Sequence, residues 1–474
     1  MSHSFDPTWA TASEIARAVA SGETTASSVI DATLARIAKA DRTLNAFTKV
    51  TSARARARAQ AVDKARAAGE PLGPLAGVPF GVKNLFDIAG VTTLAGSKIN
   101  RANPAAGRDS PLIERLEAAG AVLVGALNMG EYAYDFTGEN IHDGPSRNPH
   151  DTSRMTGGSS GGSGGAVAGG LIPFSLGSDT NGSIRVPASL CGLFGLKPTY
   201  GRLPRNGSFP FVDSLDHLGP LARSTRDLAL AYDVMQGHDP ADAACVDRPR
   251  EPVSAQLETG IDGLRIAVAG GHFQQGAFPE ALTALHQVAD ALRARQEVEI
   301  PQAARARAAA YVITAAEGAT LHLERLRRQA DDFDPAVRDR LIAGAMVPAA
   351  HVLAAQKFRR WYRAEVRNIF ESVDAIIAPA TPCTAPKIGQ QTFVLDGVEM
   401  PVRANLGIYT QPISFIGLPV VCVPVPQTPL PIGVQIITRP WREDIALRVA
   451  YALERDRIAV APRPRPSRVN PAKN

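Results

Sequence analysis

The chain has 474 residues, of which 45% are hydrophobic and 20% charged, with a formal net charge of +5. That length supports one large core or two domains, and the balance is that of a globular protein, not a disordered or fibrous one. The basic residues are scattered along Ala/Arg-rich segments and in the tail at Arg463, Arg465 and Arg468, and aromatics are only 6%, so the concentrated basic, aromatic-laced patch of a nucleic-acid binder is missing.

Ser, His and Asp occupy the N-terminus where a secretory signal would be apolar, so a cytoplasmic location is expected. Residues 11–41 read as two amphipathic helices, with Ile30, Leu34 and Ile37 at helical spacing and capping candidates from Thr25 to Ser28. Residues 54–68 form a third helix ending near Gly69, and 73–81 lead through turns into Val82-Lys83-Asn84-Leu85-Phe86. Ser110-Pro111 opens a helix with a cap and a first-turn proline, and 121–127 read as a buried strand. Strand–helix alternation of this kind indicates an α/β core.

Eight of the fourteen residues from 157 to 170 are glycine, so that stretch specifies no ordinary helix or strand. A buried strand is expected over 171–176, another over 193–196, a loop through Asp216-His217, and a capped helix over 224–235. Residues 238–262 are polar and read as a surface connection. A strand at 264–269, helices at 279–295, 305–330 and 335–370, strands at 374–378 and 420–425, and a helix at 445–454 follow. Residues 406–437 are uncharged and long enough to span a bilayer, but their six prolines and three glycines predict short buried strands and turns, so no membrane association is expected. The four cysteines, Cys191, Cys245, Cys383 and Cys422, show no CxxC spacing and read as free thiols in a reducing compartment.

Three kinds of chemistry compete at the glycine-rich stretch. Gly157-Gly158-Ser159-Ser160-Gly161 fits a G-x-S-x-G nucleophile elbow, but the preceding residues are polar where a strand is needed, and no histidine follows His351. Phosphate loops are unsupported, since neither G-x-G-x-x-G nor GxxxxGK[ST] occurs there, and the histidines form no ligand pairs, so neither metal nor cofactor is expected. A plain linker explains the glycines but not Asp179-Thr180-Asn181-Gly182-Ser183-Ile184-Arg185, which follows them. Ser159 and Ser183 are both glycine-flanked, an arrangement that exposes a hydroxyl beside backbone N–H donors, as acyl transfer requires. The base candidate is Lys83: within an apolar segment, burial disfavours its ammonium form and makes it a usable general base.

The runs Gly81-Val82-Lys83, Gly157-Gly158-Ser159-Ser160-Gly161-Gly162-Ser163, Asp179-Thr180-Asn181-Gly182-Ser183-Ile184-Arg185 and Cys191-Gly192-Leu193-Phe194-Gly195-Leu196-Lys197-Pro198-Thr199 resemble the amidase signature family. The similarity extends from the helix around Ile30 to Pro431-Ile432-Gly433-Val434-Gln435. It implies a large, mixed, twisted sheet covered by helices on both faces and a Ser–cis-Ser–Lys triad. Carried over by position, Ser183 is the nucleophile, Ser159 the bridging serine after a cis peptide, and Lys83 the base. The amides of Thr180, Asn181, Gly182 and Ser183 form the oxyanion hole, and an Asp179–Arg185 ion pair fixes the loop. Two positions depart from the commonest pattern: Asn84 stands where Asp is frequent, and Asn181 replaces a glycine, placing a side chain at the pocket floor.

No clean domain boundary appears. The expected division is a helical N-terminal arm over 1–65 packed on a catalytic domain over 66–461, with a disordered Pro/Arg-rich tail over 462–474. Family resemblance implies a homodimer that could carry a small helical accessory subunit. The runs 82–87, 92–100, 177–183 and 213–220 are most similar to the branch of the family that deaminates 1-carboxybiuret in cyanuric acid degradation. Such a small, planar, anionic amide substrate calls for a narrow pocket with amide donors and a cation, with Tyr132, Tyr311 and Gln411 as candidate polar contacts. The alternatives are a general amidase with an open hydrophobic channel and the catalytic chain of a tRNA-dependent amidotransferase.

Overall fold

The computed structural model describes residues 5–465. The tail expected from 462 onward therefore lies, beyond its first four residues, outside the described residues. Eleven strands form one sheet: β1 (Phe47–Val50), β2 (Pro79–Lys83), β3 (Val122–Leu127), β4 (Phe174–Asp179), β5 (Phe194–Lys197), β6 (His217–Ala222), β7 (Ile266–Ala269), β8 (Gln296–Val298), β9 (Ala375–Pro379), β10 (Val420–Val425) and β11 (Ile432–Thr438). Their order is β1-β3-β2-β4-β6-β5-β10-β11-β9-β7-β8. β2 runs parallel to both β3 and β4, and β7 runs parallel to both β8 and β9. The remaining pairs are antiparallel, so the sheet is mixed.

Every residue of β2, β3, β4, β5, β6, β9, β10 and β11 is buried. A strand buried at successive positions has both of its faces covered, which explains why these segments read as apolar runs without alternation. The edge strands β1 and β8 are the partly exposed, polar ones, as sheet edges require.

Helices Ala12–Ser21 and Ala26–Leu44 begin where the sequence places their caps. Thr11 forms a capping box with Glu14, and Thr25 accepts from the Ser28 amide. Their apolar residues Ile15, Val19, Ile30, Leu34 and Ile37 join one core cluster that extends to Ala459. The boundary expected after residue 65 falls inside the helix Ser52–Ala67, and β1 pairs with β3, so the first 65 residues supply a sheet strand as well as helices.

Four segments differ from the sequence reading. The glycine run contains a helix, Gly161–Ala168. Its glycines serve close packing: a Cβ at Gly162 would lie 2.4 Å from Ala46 O and 2.5 Å from Asn128 N. Residues 171–173 are irregular, and the strand starts at Phe174. His217 opens β6 instead of lying in a loop. The expected helix over 335–370 is two, Pro335–Ala345 and Ala349–Ser372, bent by 94° with Pro348 capping the second. Pro348 has no amide to continue the first helix, which is why it marks the break. No single helix among the described residues is long and apolar enough to cross a membrane.

Candidate active site

Lys83 is the last residue of β2, and Ser178 sits near the end of its parallel neighbour β4. The chain leaves β4 into the loop Thr180–Ser183, which leads into helix Arg185–Cys191. Open parallel strands place ligand sites outside their C-terminal ends, where these residues gather. Lys83 is fully buried, and its Nζ donates to Ser159 Oγ at 2.7 Å and Ser178 Oγ at 2.8 Å. Burial brings its ammonium pKa down to about 7, against the opposing pull of Asp216, Asp179 and Asp135. A lysine poised there is neutral often enough at neutral pH to accept a proton.

Ser159 follows a cis Gly158–Ser159 peptide and precedes the glycine helix. Its carbonyl accepts from the Gly130 amide at 3.2 Å, and the Gly158 amide donates to Phe136 O at 2.8 Å. Among the described residues, no hydrogen bond joins Ser183 Oγ to Ser159 Oγ. In the absence of substrate such links are often loose, and they tighten when the reacting group is present.

The loop itself is fixed from behind. Arg185 Nε donates to Asp179 Oδ2 at 2.9 Å and Nη2 to Asp179 Oδ1 at 3.0 Å, with both side chains fully buried. Arg185 Nη1 donates to Gln435 Oε1 at 2.7 Å and to Thr410 O at 3.2 Å, and Nη2 reaches Ser414 Oγ. Burial opposes ionisation of Asp179, but the Arg185 guanidinium, with Lys197 and His217, holds its carboxyl well below the usual carboxylate range. Asp179 Oδ2 also accepts from the Ile184 amide at 3.2 Å.

The amides of Asn181, Gly182 and Ser183 donate to no acceptor among the described residues. Buried amides left in this state are the feature of an anion-stabilising loop. Gly182 has φ +142°, and a Cβ there would lie 2.2 Å from Thr410 Oγ1. Thr410 Oγ1 in turn donates to Asn181 O at 2.7 Å. The Asn181 side chain reaches helix Ala303–Gln329, its Nδ2 donating to Thr314 Oγ1 at 2.9 Å, while its Oδ1 has no partner among the described residues.

Beside Ser183 lies a narrow cavity of about 20 Å³ whose wall includes Asn181, Phe211, Tyr311, Arg340 and Gln411. Tyr311 and Gln411 both belong to this wall. Tyr311 OH donates to Ala404 O, and Gln411 Oε1 accepts from Arg307 Nε at 2.8 Å, leaving Gln411 Nε2 unpartnered among the described residues. Tyr132 does not line this cavity. Its backbone is left-handed, with φ 48°, and its ring packs 4.0 Å from His322 among Phe209 and Phe333. Tyr134 lines the wall instead.

One cation lines this cavity among the described residues, Arg340. Its Nε donates to Ala336 O at 2.7 Å and its Nη2 to Tyr134 O, and it stacks 3.8 Å over the Tyr134 ring. Asp135 lines the same cavity but is paired with Arg403 at 2.8 Å, and Arg340 forms no ion pair of its own among the described residues. Nothing in the pattern of helix Pro335–Ala345 distinguishes Arg340 from Arg338. Ser178 and Thr410 were likewise missed, although Ser178 lies within the run 177–183.

A family model described as Amidase matches residues 28–447. The chain is 55% identical to AtzE, the 1-carboxybiuret hydrolase subunit of Pseudomonas sp. (strain ADP), over 94% of this chain and 98% of that one. It is 39% identical to a glutamyl-tRNA(Gln) amidotransferase subunit of Roseiflexus sp. (strain RS-1), over 94% and 96%. Among solved structures, one described as a vestigial protein complex that reveals the evolutionary origins of an s-triazine catabolic enzyme superposes with a TM-score of 0.95 at 54% identity, covering 96% of this chain and 100% of that chain. A bacterial aryl acylamidase of the amidase signature family superposes with a TM-score of 0.85 at 28% identity, covering 95% and 97%. With this match over most of its length, and with the sheet and loop that carry the matching motifs, the chain belongs to the amidase signature family.

Proposed function

We propose that this amidase removes ammonia from 1-carboxybiuret, giving urea-1,3-dicarboxylate, through Ser183, Ser159 and Lys83. The observation that carries the chemistry is the buried Lys83 Nζ held 2.7 Å from Ser159 Oγ beside a loop with unpartnered amides. Neutral Lys83 takes the Ser159 proton as Ser159 takes that of Ser183, and Ser183 Oγ attacks the terminal amide carbonyl. The loop amides of Thr180 to Ser183 receive the oxyanion. Ser159 returns the proton to the leaving nitrogen, ammonia departs, and water, activated by the same pair, hydrolyses the acyl-Ser183 ester.

The choice of substrate rests on the cavity's chemistry and on the 55% identity to a 1-carboxybiuret hydrolase. Arg340 supplies a cation for the substrate carboxylate, and Gln411 Nε2 and Asn181 Oδ1 offer a free donor and a free acceptor to a planar chain of carbonyls and N–H groups. Arg340→Gln should raise KM for 1-carboxybiuret by about 10- to 100-fold, the effect of losing a charge-assisted contact of about 1.5–3 kcal/mol. A neutral amide substrate should be turned over almost as before. Ammonia release from 1-carboxybiuret generated in situ by a cyanuric acid hydrolase tests the reading. No release there, with good activity on aliphatic or aryl amides, would leave only the family assignment.

The 39% identity to a tRNA-dependent amidotransferase chain keeps a second reading in view, ammonia supply to a partner enzyme, which tight tRNA binding would favour. We also infer a homodimer able to carry a small helical accessory subunit. Light scattering of the chain expressed alone should report twice the monomer mass, and a stable, fully active monomer would overturn both parts.

A further inference from the structure

A second cavity, of about 150 Å³, adjoins the oxyanion loop at Thr180. It shares Ala133, Thr180 and Phe211 with the cavity beside Ser183, and its wall also carries Ser178, the second partner of Lys83 Nζ, and Asp216. Asp216 is partly accessible because it faces this space. Its Oδ1 accepts from Thr180 Oγ1 at 2.6 Å. Its Oδ2 accepts from the amides of Phe211 at 2.8 Å and Val212 at 3.0 Å. One carboxylate therefore joins the first residue of the oxyanion loop to the aromatic wall of the neighbouring cavity.

Three carboxylates act on Lys83 through their charge without contacting it: Asp216, Asp179 and Asp135. Asp179 is neutralised by Arg185 and Asp135 by Arg403. Around Asp216 the charged and titratable groups are Arg205 and Tyr200 besides Lys83, and Arg205 pairs with Asp242 and Asp213 instead, at 3.0 and 3.1 Å. Burial pushes the Asp216 carboxyl upward, against the hydrogen bonds it accepts and the distant pull of Arg205, and it is the one of the three that no arginine pairs with directly among the described residues.

We propose that Asp216 is a positioning residue for the reaction proposed above: it tethers Thr180 to the Phe211 wall, and its unmatched charge supports the ammonium that forms on Lys83 as Ser183 loses its proton. The idea rests on Lys83, Ser159 and Ser183 acting as assigned there, but not on the identity of the amide. The proton count balances without another group: one proton leaves Ser183 Oγ, one passes from Ser159 Oγ to Lys83 Nζ, and Asp216 remains a carboxylate throughout.

The test is the rate of Ser183 labelling by a small serine-directed fluorophosphonate, followed from about pH 5 to about pH 9 in the full chain. In the native protein the rate should rise with pH as Lys83 becomes neutral. Asp216→Asn keeps the size and one acceptor but removes the charge. It should move that rise to lower pH by about one unit and lower the plateau about tenfold, because Lys83 becomes a weaker base. Thr180→Val keeps the charge and removes the tether, so it should lower the plateau without moving the rise. An Asp216→Asn profile that superposes on the native one overturns the counter-charge, since a merely structural carboxylate would lower the melting temperature without displacing the curve. If Asp216→Asn does not fold, Thr180→Val still decides on the tether, which a native plateau rate would overturn. No labelling of Ser183 in the native chain would instead overturn the nucleophile assignment, and this proposal with it.

Discussion

Ser183→Ala is expected to lower kcat for amide hydrolysis by about 10⁵-fold or more and to leave the fold unchanged, since loss of a nucleophilic serine costs about that much where the residues act as a unit. The two halves of this expectation have separate physical grounds. In the proposed mechanism the hydroxyl supplies the bond-forming atom, and neighbouring serines are otherwise engaged: Ser159 Oγ by Lys83, and Ser160 Oγ as a donor to Ser178 O at 3.2 Å. Stability should move little, because Ser183 Oγ makes no hydrogen bond among the described residues and its removal strands no partner. Substitution of such a site stays within about 1 kcal/mol. Ammonia release measured beside thermal unfolding checks both halves. Near-native activity in Ser183→Ala would sink the assignment. Ser163→Ala makes the contrast: Ser163 Oγ donates to Leu176 O at 3.0 Å and accepts nothing from Lys83, so its loss should lower stability and spare the chemistry.

That contrast shows what the chain made legible. Three serines stand within seven residues of the glycine run, and composition alone does not rank them. Lys83 was readable because a lysine flanked by Phe80 to Val82 and Leu85-Phe86 has to be buried, and β2 buries it between two parallel neighbours. The Asp179–Arg185 contact was readable because six positions across one tight loop bring opposite charges together. The helix Gly161–Ala168 was not, since glycine is among the poorest helix formers and close packing, such as that of the Ala46 and Asn128 backbone against Gly162, is what calls for glycine there. Tyr134 lines the cavity and Tyr132 does not, in a segment where Tyr132 and Ala133 both adopt positive φ, 48° and 61°, which no propensity announces. Arg340 depends on how helix Pro335–Ala345 is rotated and on the bend that follows it. Asn181 finds Thr314 across 133 positions of chain. Local pattern carried the elements and the reactive groups, and long-range packing settled which polar side chains surround them.

Lys83→Met should abolish activity and, at the same time, make the protein more stable at neutral pH. The activity half follows from losing the base, worth about 10²–10⁴-fold, and from leaving Ser159 with no acceptor for its proton. The stability half follows from proton linkage. Lys83 has an ordinary pKa of 10.5 that burial brings to about 7 in the folded chain. Between those two values the unfolded state binds more protons than the folded one, so the Lys83 contribution makes stability rise with pH from about 7 to about 10.5. Below about pH 7 the penalty is at its full size, about 5 kcal/mol at 1.36 kcal/mol per pH unit. Methionine fills a similar volume without a charge to desolvate. The hydroxyls of Ser159 and Ser178 lose their partner, which takes back about 1–3 kcal/mol in all, so a net gain of about 2–4 kcal/mol is expected near pH 7. Lys197 provides an internal comparison. It is also fully buried, and burial, with Arg185 adding to it, brings its pKa to about 7. The native protein should therefore gain stability with pH from two lysines and the variant from one, so the pH dependence attributable to lysine should roughly halve. Denaturant unfolding of both proteins between about pH 6.5 and about pH 9.5 decides it. A variant as steep in pH as the native chain, or one less stable at pH 7, would mean that Lys83 is not held neutral by the fold, and with that its role as the base would fall.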